Sequence, residues 1–258
     1  MLLDGKVVLV SGVGPGLGQA IAVRSAAAGA DVVLAARTES YLGEVAKKVA
    51  ETGRRALVVP TDVTDDAAAE RLVQAALAEY GRVDTVVHNA FAMPPMQKLT
   101  TVDLDALRLS HEINVLAALR LTRLAVPALV EAGGSVVMIN SAVLRHSRRT
   151  FGAYKMAKSG LLALAQSLST ELGPRGVRVN SVAPSYIWAD TLQMYFAYLA
   201  SKRGVTAEQV YDDIAATTDL RRLPVPDEIA DAVVFLASDL ARAITGHCLD
   251  VNAGEFHH

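Results

Sequence analysis

Tyr154 and Lys158 stand four residues apart in the run Tyr154-Lys155-Met156-Ala157-Lys158. Inside a helix that spacing sets both side chains on one face, about one turn apart. A phenol with its ordinary pKa near 10 is a poor base at neutrality unless a neighbouring cation favours phenolate, and Lys158 is such a cation. The pair suits proton transfer at an oxygen atom. On an Ala-rich helix the same two residues also read as an amphipathic ring beside a solvated amine, so spacing alone does not decide.

A second constellation is Ser11-Gly12-Val13-Gly14-Pro15-Gly16-Leu17-Gly18, which follows the apolar run ending at Val10 and precedes a helical stretch. Glycines between a strand and a helix let the backbone approach a pyrophosphate, and the helix start offers free N–H groups. A Walker-type loop needs Lys and then Ser or Thr after its last glycine; Gln19-Ala20 stands there instead. The motif therefore points to a dinucleotide. At the end of the second strand an acid accepts from a ribose 2′-hydroxyl, whereas a base accommodates a 2′-phosphate. Ala36 occupies the acid's place and Arg37 follows. This favours NADP, with NAD as the alternative if Arg37 is a solvated loop residue and Glu39 only a helix-start acid.

These motifs need elements to hold them. Continuous apolar runs at residues 6–10, 31–36, 56–59, 85–87, 135–139, 178–182 and 247–251 read as strands buried on both faces. Helical spacing covers 19–28, 41–52, 66–80, 104–131, 154–172 and 227–237. The alternation gives an α/β fold: one doubly wound Rossmann domain over residues 1–258, a seven-stranded parallel sheet with helices on both faces. The interval at about 186–223 breaks that rhythm and reads as a substrate lid.

With these elements in place the chain resembles the short-chain dehydrogenase/reductase family. The residues that carry the likeness are the glycine turn, His88-Asn89-Ala90 after the fourth strand, Ser141 after the fifth, Tyr154 with Lys158, and the tail from Pro226 to Gly254. The resemblance implies a ketone and secondary-alcohol oxidoreductase. In it Tyr154 is the general acid or base, Lys158 lowers its pKa and holds the nicotinamide ribose, Ser141 bonds the substrate oxygen, and Asn114 serves a proton relay through water. It also assigns Asp62 and Val63 to the adenine, and Asn89, Ala90, Pro184 and Ile187 to the cofactor beside Gly12, Gly14, Gly16, Leu17 and Gly18. A homotetramer built through 104–131 and 151–172 is implied as well. Phe91 and Ser185 stand where glycine is common, so the loops at those two points are expected to depart from the family.

The chain has 13 aromatic residues, and Tyr186, Trp188, Tyr195, Phe196 and Tyr198 fall inside the expected lid. Phe91, Met93, Val143, Tyr186, Trp188 and Tyr195 are the candidate substrate contacts, suited to a bulky apolar, cyclic or steroid-like molecule. The same rings also suit packing within the lid or against a subunit. Arg145, His146, Arg148 and Arg149 form a basic loop that would serve a 3-oxoacyl thioester, the second reading; a non-catalytic dinucleotide sensor or scaffold is the third. Lys and Arg number 25 against 27 Asp and Glu, which leaves no footprint for nucleic acid. No stretch of about 20 charge-free apolar residues and no signal peptide is read, so neither a membrane partner nor processing is expected. The lone Cys248 fits a reducing, cytoplasmic setting. Adjacent His257 and His258 alone make no metal site, and no metal is expected.

Overall fold

The seven apolar runs become β1 (Val7–Ser11), β2 (Asp31–Ala36), β3 (Ala56–Pro60), β4 (Thr85–His88), β5 (Ser135–Ile139), β6 (Arg178–Pro184) and β7 (Cys248–Val251). The computed structural model describes residues 1–257. All neighbouring strands pair in parallel, in the order β3-β2-β1-β4-β5-β6-β7. β1, β4 and β5 are buried at every position, which is why their sequences are continuously apolar rather than alternating.

Helices cover both faces: α1 (Leu17–Ala27), α2 (Glu39–Glu51) and α9 (Pro226–Ala237) on one, α3 (Asp66–Tyr80), α5 (Ala117–Ala132) and α6 (Gly152–Leu172) on the other. Ile21, Leu42, Ile229 and Leu236 fill the first core; Leu72, Leu121, Leu129 and Leu161 fill the second. On α6 the buried positions include Ala153, Ala157, Leu161, Ala165 and Leu168. Their spacing of four and three is one helical stripe, and its small residues bring α6 close to the sheet.

Connections from β1 lead to β2 and β3 on one side, whereas β4 and later strands lie on the other. The crevice between β1 and β4, at the carboxyl ends of the strands, is where such a sheet takes a ligand. There the turn after β1 meets the turn after β4. A Cβ on Gly12, whose φ is +90°, would lie 2.3 Å from the Ala90 nitrogen, and one on Gly18 would lie 2.4 Å from the Gly12 oxygen. Asn89 Nδ2 donates to that same Gly12 oxygen at 2.6 Å.

One expectation needs correction. The helix expected over 104–131 is interrupted: α4 (Leu104–His111) passes into a π-helical turn at Glu112–Leu116 before α5 begins. Asn114 lies in that turn and its Nδ2 donates to the Ser110 carbonyl at 2.8 Å. A side chain that takes a carbonyl of the preceding turn competes with the i→i−4 ladder, which accounts for the wider turn. By length and composition Leu104–Ala132 is also long and apolar enough to cross a membrane, with Arg120 and Arg123 inside its apolar stretch, and half of its most apolar part is buried inside the protein. The interval at 186–223, read from the sequence as a lid, is largely helical. It holds α7 (Asp190–Arg203) and α8 (Ala207–Ala215), packed around Phe196, Ala200, Val210 and Leu223.

Gly12→Ala should be costly, since the methyl must push against backbone and the position has a positive φ. We expect a loss of roughly 2–4 kcal/mol, seen as a melting temperature lower by roughly 5–15 °C. A variant that melts with the wild type contradicts this reading of the turn.

Candidate active site

Ser141, Tyr154 and Lys158 come together in a pocket of about 170 Å³, lined also by Leu17, Asn89, Phe91, Ile139, Asn140, Pro184, Ser185 and Ile187. Ser141 lies two residues beyond the carboxyl end of the interior strand β5 and caps a short 3₁₀ turn, its Oγ accepting from the Val143 N–H at 3.2 Å. The Tyr154 hydroxyl is hydrogen-bonded to Ser141. Burial raises the Tyr154 pKa above the ordinary phenol value, and the Ser141 bond opposes that rise.

Lys158 is 4% exposed, and its Nζ donates to the Ile139 carbonyl at 2.7 Å. Burial brings its pKa down to about 7. This revises the expectation that Lys158 depresses the phenol. Both groups are buried together, so desolvation dominates each, and the phenol is held in its protonated form.

A larger cavity of about 870 Å³ adjoins this pocket. Gly12, Gly14, Leu17, Gly18, Arg37, Asp62, Val63, Asn89 and Ala90, all assigned to the cofactor from the sequence, line it. Gly16 does not; with φ +83° it turns the chain into α1 as the N-cap. Asp62 accepts from the Thr64 N–H at 2.9 Å and its hydroxyl at 2.7 Å, and these bonds, with a smaller contribution from Arg37, hold its carboxyl below the ordinary value. Sequence reasoning missed Thr38, Tyr41 and Ile113 in this lining, because each is an ordinary helix or loop residue until the fold brings it to the crevice. It also missed Asn140, whose buried Oδ1 has no hydrogen-bond partner.

The expected fourth polar residue, Asn114, is not among those lining the catalytic pocket. Its Nδ2 donates to the carbonyls of Ser110 and Ala92, the latter at 2.9 Å, and its Oδ1 accepts from the Ala92 N–H at 3.3 Å. With the amide committed in this way, it fastens the segment after β4 to the π turn.

Of the candidate substrate contacts, Phe91 lines the pocket. Trp188 instead packs against Phe196 and Tyr211, with centroids at 5.5 Å and 4.6 Å, and Tyr186 packs against Phe196. These rings form a core inside the lid, because two short helices projecting from the sheet must bury an apolar side of their own. Val143 is buried beside Ser141, while Met93 and Tyr195 are exposed outside the pocket lining. In the basic loop Arg145 pairs with Asp250 and Arg148 with Glu255, and Arg148 also donates to the Tyr186 hydroxyl. Ser185, where the family commonly has glycine, is hydrogen-bonded to Glu255. Cys248 is partly buried with its thiol pKa pushed up to about 11 by burial. His257 Nε2 lies 2.8 Å from Asp219; His258 is outside the described residues.

A family model described as Enoyl-(Acyl carrier protein) reductase matches residues 12–255. An uncharacterized oxidoreductase of Mycobacterium tuberculosis is 38% identical over 98% of this chain and 92% of its own length. The 7alpha-hydroxysteroid dehydrogenase of Escherichia coli is 29% identical over 98% of this chain and 94% of its own. Carveol dehydrogenase from Mycobacterium avium, solved in complex with NAD, superposes with a TM-score of 0.89 at 29% identity, covering 98% of both chains.

The Lys158 pKa has a consequence for stability. Between about pH 7 and the ordinary lysine value of 10.5, the unfolded chain keeps a proton at Lys158 that the folded chain has released. Stability therefore rises with pH across that window. Urea unfolding of the wild type and Lys158→Met should show the wild type gaining on the variant from pH 7 to pH 10. A difference that stays constant with pH contradicts the buried, neutralised amine.

Proposed function

From its membership of the short-chain dehydrogenase/reductase family, to which this chain belongs, we propose that the protein is an NADP-preferring oxidoreductase interconverting a ketone and a secondary alcohol on a largely apolar substrate. The observation that carries this reading is the shared pocket of Ser141, Tyr154 and Lys158 opening beside the dinucleotide-sized cavity.

The residues present fit a nicotinamide dinucleotide. Gly12 and Gly18 let the turn after β1, the start of α1 and the turn after β4 close up beside the large cavity, and the buried Oδ1 of Asn140, a residue of the pocket lining, lacks a partner. Gly12, Gly14, Gly18, Asn89 and Ala90 would hold it, with Asp62 and Val63 at one end and Lys158 at the other. Arg37 and the absence of an acid at Ala36 support a 2′-phosphate. When bound, the dinucleotide supplies or accepts the hydride.

The protein's part is orientation and the proton. Ser141 and Tyr154 present two linked hydroxyls to one point, where a carbonyl oxygen accepts from both. In reduction the Tyr154 proton passes to that oxygen; in oxidation the Tyr154 oxygen takes it from the alcohol. A phenol kept protonated by burial is ready for the reducing direction at neutral pH. Phe91, Ile139, Ile187 and Leu17 supply the apolar walls, which is what supports an apolar substrate body.

Tyr154→Phe removes the transferable proton and keeps the ring. Assayed against ketones with NADPH, it should lose about 10²–10⁴-fold in kcat while the NADPH Kd stays within about twofold. Turnover close to the wild type contradicts the assignment. Arg37→Ala should raise the NADPH KM by about tenfold and leave that for NADH unchanged, as loss of one charged contact to phosphate requires. A wild-type preference for NADH contradicts the cofactor choice.

A further inference from the structure

Phe91, which stands where the family commonly has glycine, touches both halves of the site. Its ring packs on Tyr154 with centroids 5.5 Å apart and lies over Lys158 Nζ, which is 4.8 Å from the ring centroid. Leu17, Asn89 and Phe91 are the residues common to the linings of the large cavity and the catalytic pocket. Asn89 is tied to Gly12 by its side chain, and Leu17 packs against the sheet core. Phe91 is 41% exposed and has open space on one side.

The backbone on either side of Phe91 is fixed. Before it, Ala90 lies against Gly12 so closely that no Cβ fits between them. After it, Ala92 is held through both its N–H and its carbonyl by Asn114. Any movement at this position is therefore rotation of the side chain about its χ angles. Lys158, in turn, has the Ile139 carbonyl on one side and the Phe91 ring face on another, with 4% of the residue exposed. A ligand hydroxyl that reaches Nζ has to take the place of the ring.

We propose that the Phe91 side chain is a gate at the nicotinamide end of the dinucleotide site: its ring covers Lys158 and closes the junction between the two cavities, and it has to swing aside for the nicotinamide end to bind. The inference rests on the dinucleotide reading above. Where glycine stands at this position the amine has no such cover. With phenylalanine, the packing of the ring on Tyr154 and over Lys158 Nζ must be given up on binding. The adenine end would be held at Arg37 and Asp62, which line the large cavity but not the catalytic pocket, and would make no demand on the ring.

The consequence is a difference between a whole dinucleotide and its adenine half. Fluorescence titration and calorimetry with NADPH and 2′,5′-ADP, and in parallel NADH and ADP, need no substrate. In Phe91→Ala the Kd of the reduced dinucleotide should fall about fivefold, while that of the adenine half stays within about 1.5-fold. Phe91→Leu keeps bulk but lacks the aromatic face, and should fall between the two. It also serves as the test if Phe91→Ala melts below the assay temperature. An unchanged or weaker dinucleotide, or an equal shift for both ligands, overturns the role of Phe91 with the dinucleotide site intact. A wild type that binds neither ligand overturns the dinucleotide reading, and this inference with it.

Discussion

The amine of Lys158 donates to the Ile139 carbonyl at the end of β5, and the rest of the site is arranged around that contact. An ammonium removed from water needs compensation, and here it has one carbonyl and one ring face. The outcome is an amine brought to neutrality near physiological pH and a tyrosine kept protonated in the same apolar surroundings. The helix carrying both packs on the sheet through a buried stripe in which Ala153, Ala157 and Ala165 alternate with leucines. Low aromatic content in the core and an unusual lysine are thus two sides of one packing solution.

The same economy of space governs the opposite wall. Gly12 allows the turn after β1 to touch Asn89 and Ala90, and Asn114 reaches from a π turn to grip Ala92. Between those two anchors the chain carries Phe91 to the junction of the cavities. A helix irregularity, a glycine and an aromatic side chain, distant in sequence, therefore determine how Lys158 is covered.

Much of this was legible in the sequence. Strands buried on both faces declare themselves by continuous apolar runs, and the glycine turn and the Tyr154 and Lys158 pair have spacings dictated by backbone geometry. What spacing could not show was competition. Asn114 reads as a polar residue on a long helix until its amide takes the Ser110 carbonyl and opens a π turn. The aromatic cluster of residues 186–198 suggested a substrate wall, yet Trp188 and Phe196 were needed as the core of a two-helix lid. The charges of Arg145 and Arg148 looked available for an anion, but Asp250 and Glu255, more than a hundred residues away in sequence, already meet them. The sign of the Tyr154 pKa shift also depended on burial, which a motif does not encode.

The central claim is that Tyr154 and Ser141 direct an oxygen for proton transfer while a hydride passes between the bound dinucleotide and the adjacent carbon. The most direct measurement is the fate of a label. With NADPH deuterated at the transferable C4 position and a cyclic ketone as substrate, mass spectrometry of the product should find one deuterium on the carbinol carbon. Product formed without that deuterium, or no product from any ketone despite measured cofactor binding, contradicts the account.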